Sequence, residues 1–62
     1  MPDEIKLLWA ESLYRCELLR RSSCRSLHLI VWLGSCLLID ERVSTLGEAV
    51  TRALELKATF VG

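Results

Sequence analysis

Apolar residues in the first third of the chain recur at three- and four-residue steps. Ile5, Leu8, Trp9, Leu13, Cys16 and Leu19 form one stripe, and Leu7, Tyr14 and Leu18 widen it on one flank. That period predicts an amphipathic helix over residues 4–21. Pro2 and Asp3 suit its start, with Asp3 able to cap exposed amides. Arg20 and Arg21 fall in its last turn, where cations complement the helix dipole. Ser22 and Ser23 then break the pattern.

The next segment, LHLIVWLGSCLLI from Leu27 to Ile39, could be a single buried helix, but Gly34-Ser35 interrupts it. A membrane-spanning helix needs about 20 mainly apolar residues. This run is shorter, contains His28, and is bracketed by Arg25 and Asp40. Ile30-Val31-Trp32 favours strand. In an extended chain Leu27, Leu29, Val31 and Leu33 share one face, and His28, Ile30 and Trp32 the other. Both faces are largely apolar, as in a strand covered on both sides. Gly34-Ser35 leaves two readings open. It is either a hairpin turn that pairs Cys36–Ile39 back on Leu29–Leu33, or the end of one strand before a buried connection.

Thr45-Leu46-Gly47-Glu48 matches a capping box and predicts a helix over residues 45–57. Leu46, Ala49, Val50, Ala53, Leu54 and Leu56 supply its buried side. Glu48, Thr51, Arg52 and Glu55 supply its wet side, and Glu48 and Arg52 pair at i,i+4. Ala58 to Val61 reads as a short closing strand. The expected fold is therefore a small mixed α/β domain over residues 1–62. Its order is helix, strand or hairpin, helix, short strand, and if the two strands are parallel the strand-helix-strand unit is right-handed.

Composition shifts the emphasis from fold to partners. Hydrophobic residues are 52% of a 62-residue chain whose formal net charge is zero. A domain of this size buries only about 60% of its unfolded surface. More apolar surface is present than such a globule hides, and no net charge keeps copies apart. A protein partner or a homo-oligomer is expected. The three cysteines, Cys16, Cys24 and Cys36, are an odd count, and MPDEIK lacks a basic region ahead of an apolar core. Both features fit a reducing, cytoplasmic setting in which the cysteines act as small apolar side chains.

The chemistry is sparse. The single histidine, His28, lies in the most apolar segment and reads as a satisfied core residue. Cys24 and His28 could form a nucleophile and base on a helix, but on a strand they are strung out. Asp40 and Glu41 are adjacent and point different ways. No close pair of cysteines marks a zinc site, no glycine-rich loop holds a phosphate, and no cofactor is implied. Arg15, Arg20, Arg21 and Arg25 form a basic patch, yet zero net charge and the absence of an aromatic stacking motif argue against nucleic acid. No catalytic role is assigned.

LGSCLLIDERVSTLG, residues 33–47, resembles the segment of STAS domains (the anti-sigma-factor-antagonist fold) in which a central strand runs into a turn and a helix. Leu33, Ile39 and Asp40 fall at matching spacings. Glu41 stands where many members carry a phosphorylatable serine, Arg42 and Val43 replace small residues, and Gly34-Ser35 reverses the usual order. The resemblance implies a non-catalytic regulatory module that binds a protein through the turn from Asp40 to Leu46, with Asp40, Glu41, Ser44 and Leu46 at the contact. Trp9, Trp32 and Leu33 are further contact candidates, because aromatic anchors dominate interfaces. Two alternatives come from other classes. One is a small hydrophobic subunit of a membrane complex with residues 22–39 helical. The other is a nucleic-acid binder, since Leu46 to Val50 resembles the opening of the second helix in Alba-type proteins.

Overall fold

The computed structural model describes residues 3–62. Four strands of equal length are followed by one helix: β1 (Glu4–Glu11), β2 (Tyr14–Arg21), β3 (Ser26–Leu33), β4 (Cys36–Val43) and α1 (Leu46–Phe60). The strands form a single antiparallel meander in the order β1-β2-β3-β4.

The expected α/β order is therefore corrected at three places. Residues 4–21 form the β1–β2 hairpin, not a helix. Every strand pair is antiparallel, so no strand-helix-strand unit exists. Residues 58–60 continue α1 in place of a closing strand. Pro2, expected at a helix start, lies outside the described residues.

The first correction has a physical cause. Strict alternation marks a strand with one wet face, but β1 has Ile5, Leu7, Leu8 and Trp9 almost in a row. Its register slips between Leu7 and Trp9, leaving Leu8 as the extra residue of a β-bulge. A bulge puts two successive residues on one side. The resulting spacing imitates a helical stripe. The turn is equally cryptic: Ser12 takes a positive φ of 56° in the Ser12-Leu13 connection, a conformation more often supplied by glycine or asparagine.

Leu27 to Ile39 is extended, and Gly34-Ser35 is the hairpin turn, which settles the two readings left open. Gly34 has φ +59°, a region glycine enters without strain. Its amide donates to the Leu13 carbonyl at 2.9 Å, tying the two turns at one end of the sheet together. Residues 22–39 thus form most of two strands, and among the described residues no helix is long and apolar enough to cross a membrane.

α1 begins where the capping box predicts. Thr45 Oγ1 accepts from the Glu48 amide at 3.1 Å. The return bond goes one residue further out, the Ser44 amide donating to Glu48 Oε2 at 2.9 Å. Ala49, Ala53 and Leu56 face the sheet and are buried. Their small size lets the helix lie close to Cys16, Leu18, Leu29, Val31 and Val43, the rest of the core. Two contacts secure the helix further. Trp9 Nε1 donates to the Ala53 carbonyl at 2.8 Å, and Tyr14 stacks on Phe60 with ring centroids 5.4 Å apart. The helix covers one face of the sheet and leaves the other open.

Candidate interaction surface

Strand pairing fixes what the open face carries. Ile5, Leu19, His28 and Arg42 form one row across the sheet, and Leu7, Glu17, Ile30 and Asp40 the next. Ala10, Arg15, Trp32 and Leu37 form a third. A second bulge at Leu38, where the register slips between Val31 and Trp32, adds that residue opposite Trp32. The apolar side chains thus occupy two diagonally opposite corners, Ile5 with Leu7 and Leu19, and Trp32 with Leu37 and Leu38. Ile30 joins them. Exposure is high for residues of this kind: 66% for Ile5, 55% for Leu7, 52% for Leu37 and 40% for Leu38.

Except for Arg42, which has no side-chain partner among the described residues, the charged groups on this face bind within it. Glu17 accepts from Trp32 Nε1 at 2.9 Å and pairs with Arg15 Nε at 3.2 Å. Arg15 also sits over the Trp32 ring, 5.6 Å from its centroid, within cation–π range. At the opposite charged corner, His28 Nδ1 lies 3.2 Å from Asp40 Oδ1 and His28 Nε2 lies 3.1 Å from Ser26 Oγ. With the proton on Nδ1, the ring donates to Asp40 and accepts from Ser26. Cys24 Sγ is 2.9 Å from the same hydroxyl. Hydrogen bonding to Ser26 holds the Cys24 thiol below its ordinary range, with Ser23 and the Arg21 charge adding to the effect.

Serine, histidine and carboxylate in this order resemble the parts of a hydrolytic triad. Here Ser26 is only 5% exposed, and its hydroxyl is engaged by both Cys24 and His28. In this geometry the chain of contacts ties the β2–β3 turn to β3 and β4 and leaves the serine no open approach. His28 is satisfied, as expected, but it stands on the open face and not in the core. The cysteines separate as well. Cys16 is buried, with its pKa pushed up to about 11 by burial and the nearby Glu17 charge. Cys24 and Cys36 are exposed, contrary to an apolar packing role for all three. They lie at opposite ends of the sheet, so Cys16, Cys24, His28 and Cys36 do not converge.

The residues proposed as contacts divide between two sides. Trp32 and Asp40 are on the open face. Trp9 and Leu33 face the helix, and Trp9 acts there as a tether. Glu41 also lies on the helix side, where both its oxygens meet Arg52, at 3.0 and 2.9 Å. Its carboxyl is held below the usual range chiefly by that hydrogen bonding. Ser44 and Leu46 belong to the helix start. Asp40 and Glu41 point to opposite sides, as adjacent strand residues must. Sequence reasoning missed Ile5, Leu7, Glu17, Leu19, Ile30, Leu37 and Leu38 as parts of one surface. The signal lay in period-two pairing across four strands, which is invisible while β1 and β2 are read as a helix.

Of the basic residues, Arg20, Arg21 and Arg25 gather at the β2–β3 turn, while Arg15 lies at the far end of β2. Comparison with protein-family models, with curated proteins and with solved structures returned no match.

Proposed function

We propose that this chain is a non-catalytic protein-interaction module whose open sheet face docks on an apolar, near-neutral protein surface. The observation that carries this reading is the pair of exposed apolar corners on a face whose Glu17 and Asp40 carboxylates are already bonded within it. Covering Ile5, Leu7, Ile30, Leu37 and Leu38 removes apolar area from water at about 25 cal/mol per Å². Covering Glu17 strands no charge, because Arg15 pairs with it, and Asp40 keeps its hydrogen bond from His28. Unpaired charges would make the same burial unfavourable. Nucleic acid fits this surface poorly, since phosphates are met by clusters of unneutralised cations and, on this face, Arg15 is paired with Glu17 and leaves Arg42 as a lone cation. Free thiols at Cys24 and Cys36 suit a reducing, cytoplasmic setting.

The test is site-specific photo-crosslinking in cells producing the chain. A photoreactive residue at Leu38 should give a discrete protein adduct that disappears when Ile30→Lys is added. The same group at Thr51, on the outer helix, should give none. No adduct from Leu38 would end the proposal.

A further inference from the structure

Resting on that reading, we infer that the occupant of the open face is a second copy of this chain, related by a two-fold axis along the apolar diagonal from Ile5 through Ile30 to Leu38.

The argument begins with area. Four strands about 4.8 Å apart and eight residues long at ~3.3 Å each make a face of roughly 19 by 26 Å, near 500 Å² before side-chain relief. Two such faces give about 1,000 Å² of total burial as a minimum, which reaches the lower bound of specific interfaces. A small neutral chain meets that requirement with its own duplicate, without self-repulsion.

Charge placement then selects the orientation. Symmetric dimers use the same patch on both copies, so every residue must meet an acceptable image. An axis along the strands lays the Ile5–Leu7–Leu19 corner on the His28–Asp40–Arg42 corner. An axis across the strands lays it on Ala10 and Arg15. Both bury aliphatic side chains against charge. An axis along the diagonal places each apolar corner on its own image. It also places Asp40 of one copy over Arg15 of the other, twice, and Arg42 over Ala10, while Glu17 faces its own image beside the axis with its oxygens held by Arg15 and Trp32. Because the diagonal runs at about 45° to the strands, the two sheets pack close to orthogonally, one of the two common sheet-on-sheet arrangements.

The test uses native mass spectrometry and sedimentation of the purified chain, with circular dichroism to verify folding. A dimer is expected, and Ile30→Lys should convert it to folded monomer. Leu54→Lys, on the outer helix, should leave it intact. Arg15→Glu alone and Asp40→Arg alone should each weaken association about tenfold or more, as loss of close charge complementarity does. The double variant should recover most of that loss. A monomer at ~100 μM would overturn the inference, as would a dimer indifferent to Ile30→Lys. Single swaps without effect, or a double variant no better than either single, would overturn the diagonal axis. A monomeric purified chain that still gives a Leu38 adduct of another mass in cells would remove the self-partner while leaving the docking face in place. Absence of both dimer and adduct would remove both.

Discussion

Leu29 and Ile30 are neighbours in β3, similar in size and hydrophobicity, and they face opposite sides of one sheet. Leu29 is fully buried under α1, whereas Ile30 is only half-buried on the open face. The covered face is closed by Ala49, Ala53 and Leu56 and contains no charged side chain among its buried residues. The open face is nearly as apolar, but it carries Arg15 paired with Glu17, Asp40 bonded to His28, and Arg42. Local hydrophobicity therefore does not distinguish the covered face from the open one; the charges set among the apolar residues do.

The sharpest way to break this comparison is to truncate both neighbours. Leu29→Ala should destabilise the domain by about 3 kcal/mol, the usual result of a core leucine deletion. That is a large share of the ~3–9 kcal/mol expected for a chain of this length. Ile30→Ala, measured at a concentration where the chain is monomeric, should cost under about 1 kcal/mol. Thermal denaturation monitored by circular dichroism reads both. Equal losses would mean that the open face is as much part of the monomer's core as the other.

A second test sharpens the chemistry of the covered face. Cys16 has its thiol pKa raised to about 11 by burial and the Glu17 charge. A raised folded pKa means that stability is fully present below the unfolded value and declines as pH rises towards the folded one. Between about pH 9 and 11 the unfolded chain should lose a proton that the folded chain keeps. The loss should approach about 2 kcal/mol at the top of that window. Urea titrations across the range should show this slope in the parent and a shallower one in Cys16→Ala. Identical slopes would place Cys16 in a wetter setting than its packing indicates.

How much of this was legible beforehand follows from the same two faces. The capping box at Thr45 was readable because its bonds join residues three and four apart. The extended state of Leu27 to Ile39 was readable from β-branched residues and a turn glycine. The β1–β2 hairpin was not, because the bulge at Leu8 disguises the alternation and Ser12-Leu13 is not an evident turn. Once that hairpin was missed, the open face could not be assembled, since half of it comes from β1 and β2. Trp32 and Asp40 were reached only as individual residues.

The two tryptophans give the third test, smaller in size. Trp9 donates to the Ala53 carbonyl on the covered side, and Trp32 donates to Glu17 on the open side. Trp9→Phe keeps an aromatic ring and loses that bond, which should cost about 1 kcal/mol of stability. Trp32→Phe should affect the monomer less and association more, because it frees one oxygen of Glu17 to be buried without a donor. Chemical denaturation and sedimentation on the same pair of variants separate the two effects. A Trp32 variant that associates normally would show that Glu17 stays solvated in the assembly.

The smallest expected effect concerns the bidentate ion pair that links the helix to β4. Arg52 reaches both oxygens of Glu41 from α1, and this fork geometry is the strongest form of such a pair. Both side chains are nevertheless more than a third exposed, so solvent and salt screen them, and the pair should contribute only about 0.5 kcal/mol. The depressed Glu41 carboxyl sets the sign: the contribution is present above the ordinary carboxylate pKa of 4.5 and is lost as pH falls through the lower folded value. Glu41→Gln should therefore flatten the acid limb of the stability curve slightly and change nothing near neutrality beyond that half kilocalorie. Added salt should shrink the difference further. A loss of 2 kcal/mol or more would mean that the edge of β4 is held to the helix by this pair and not by Val43 and the core beneath it, and the covered face would then owe its closure in part to charge.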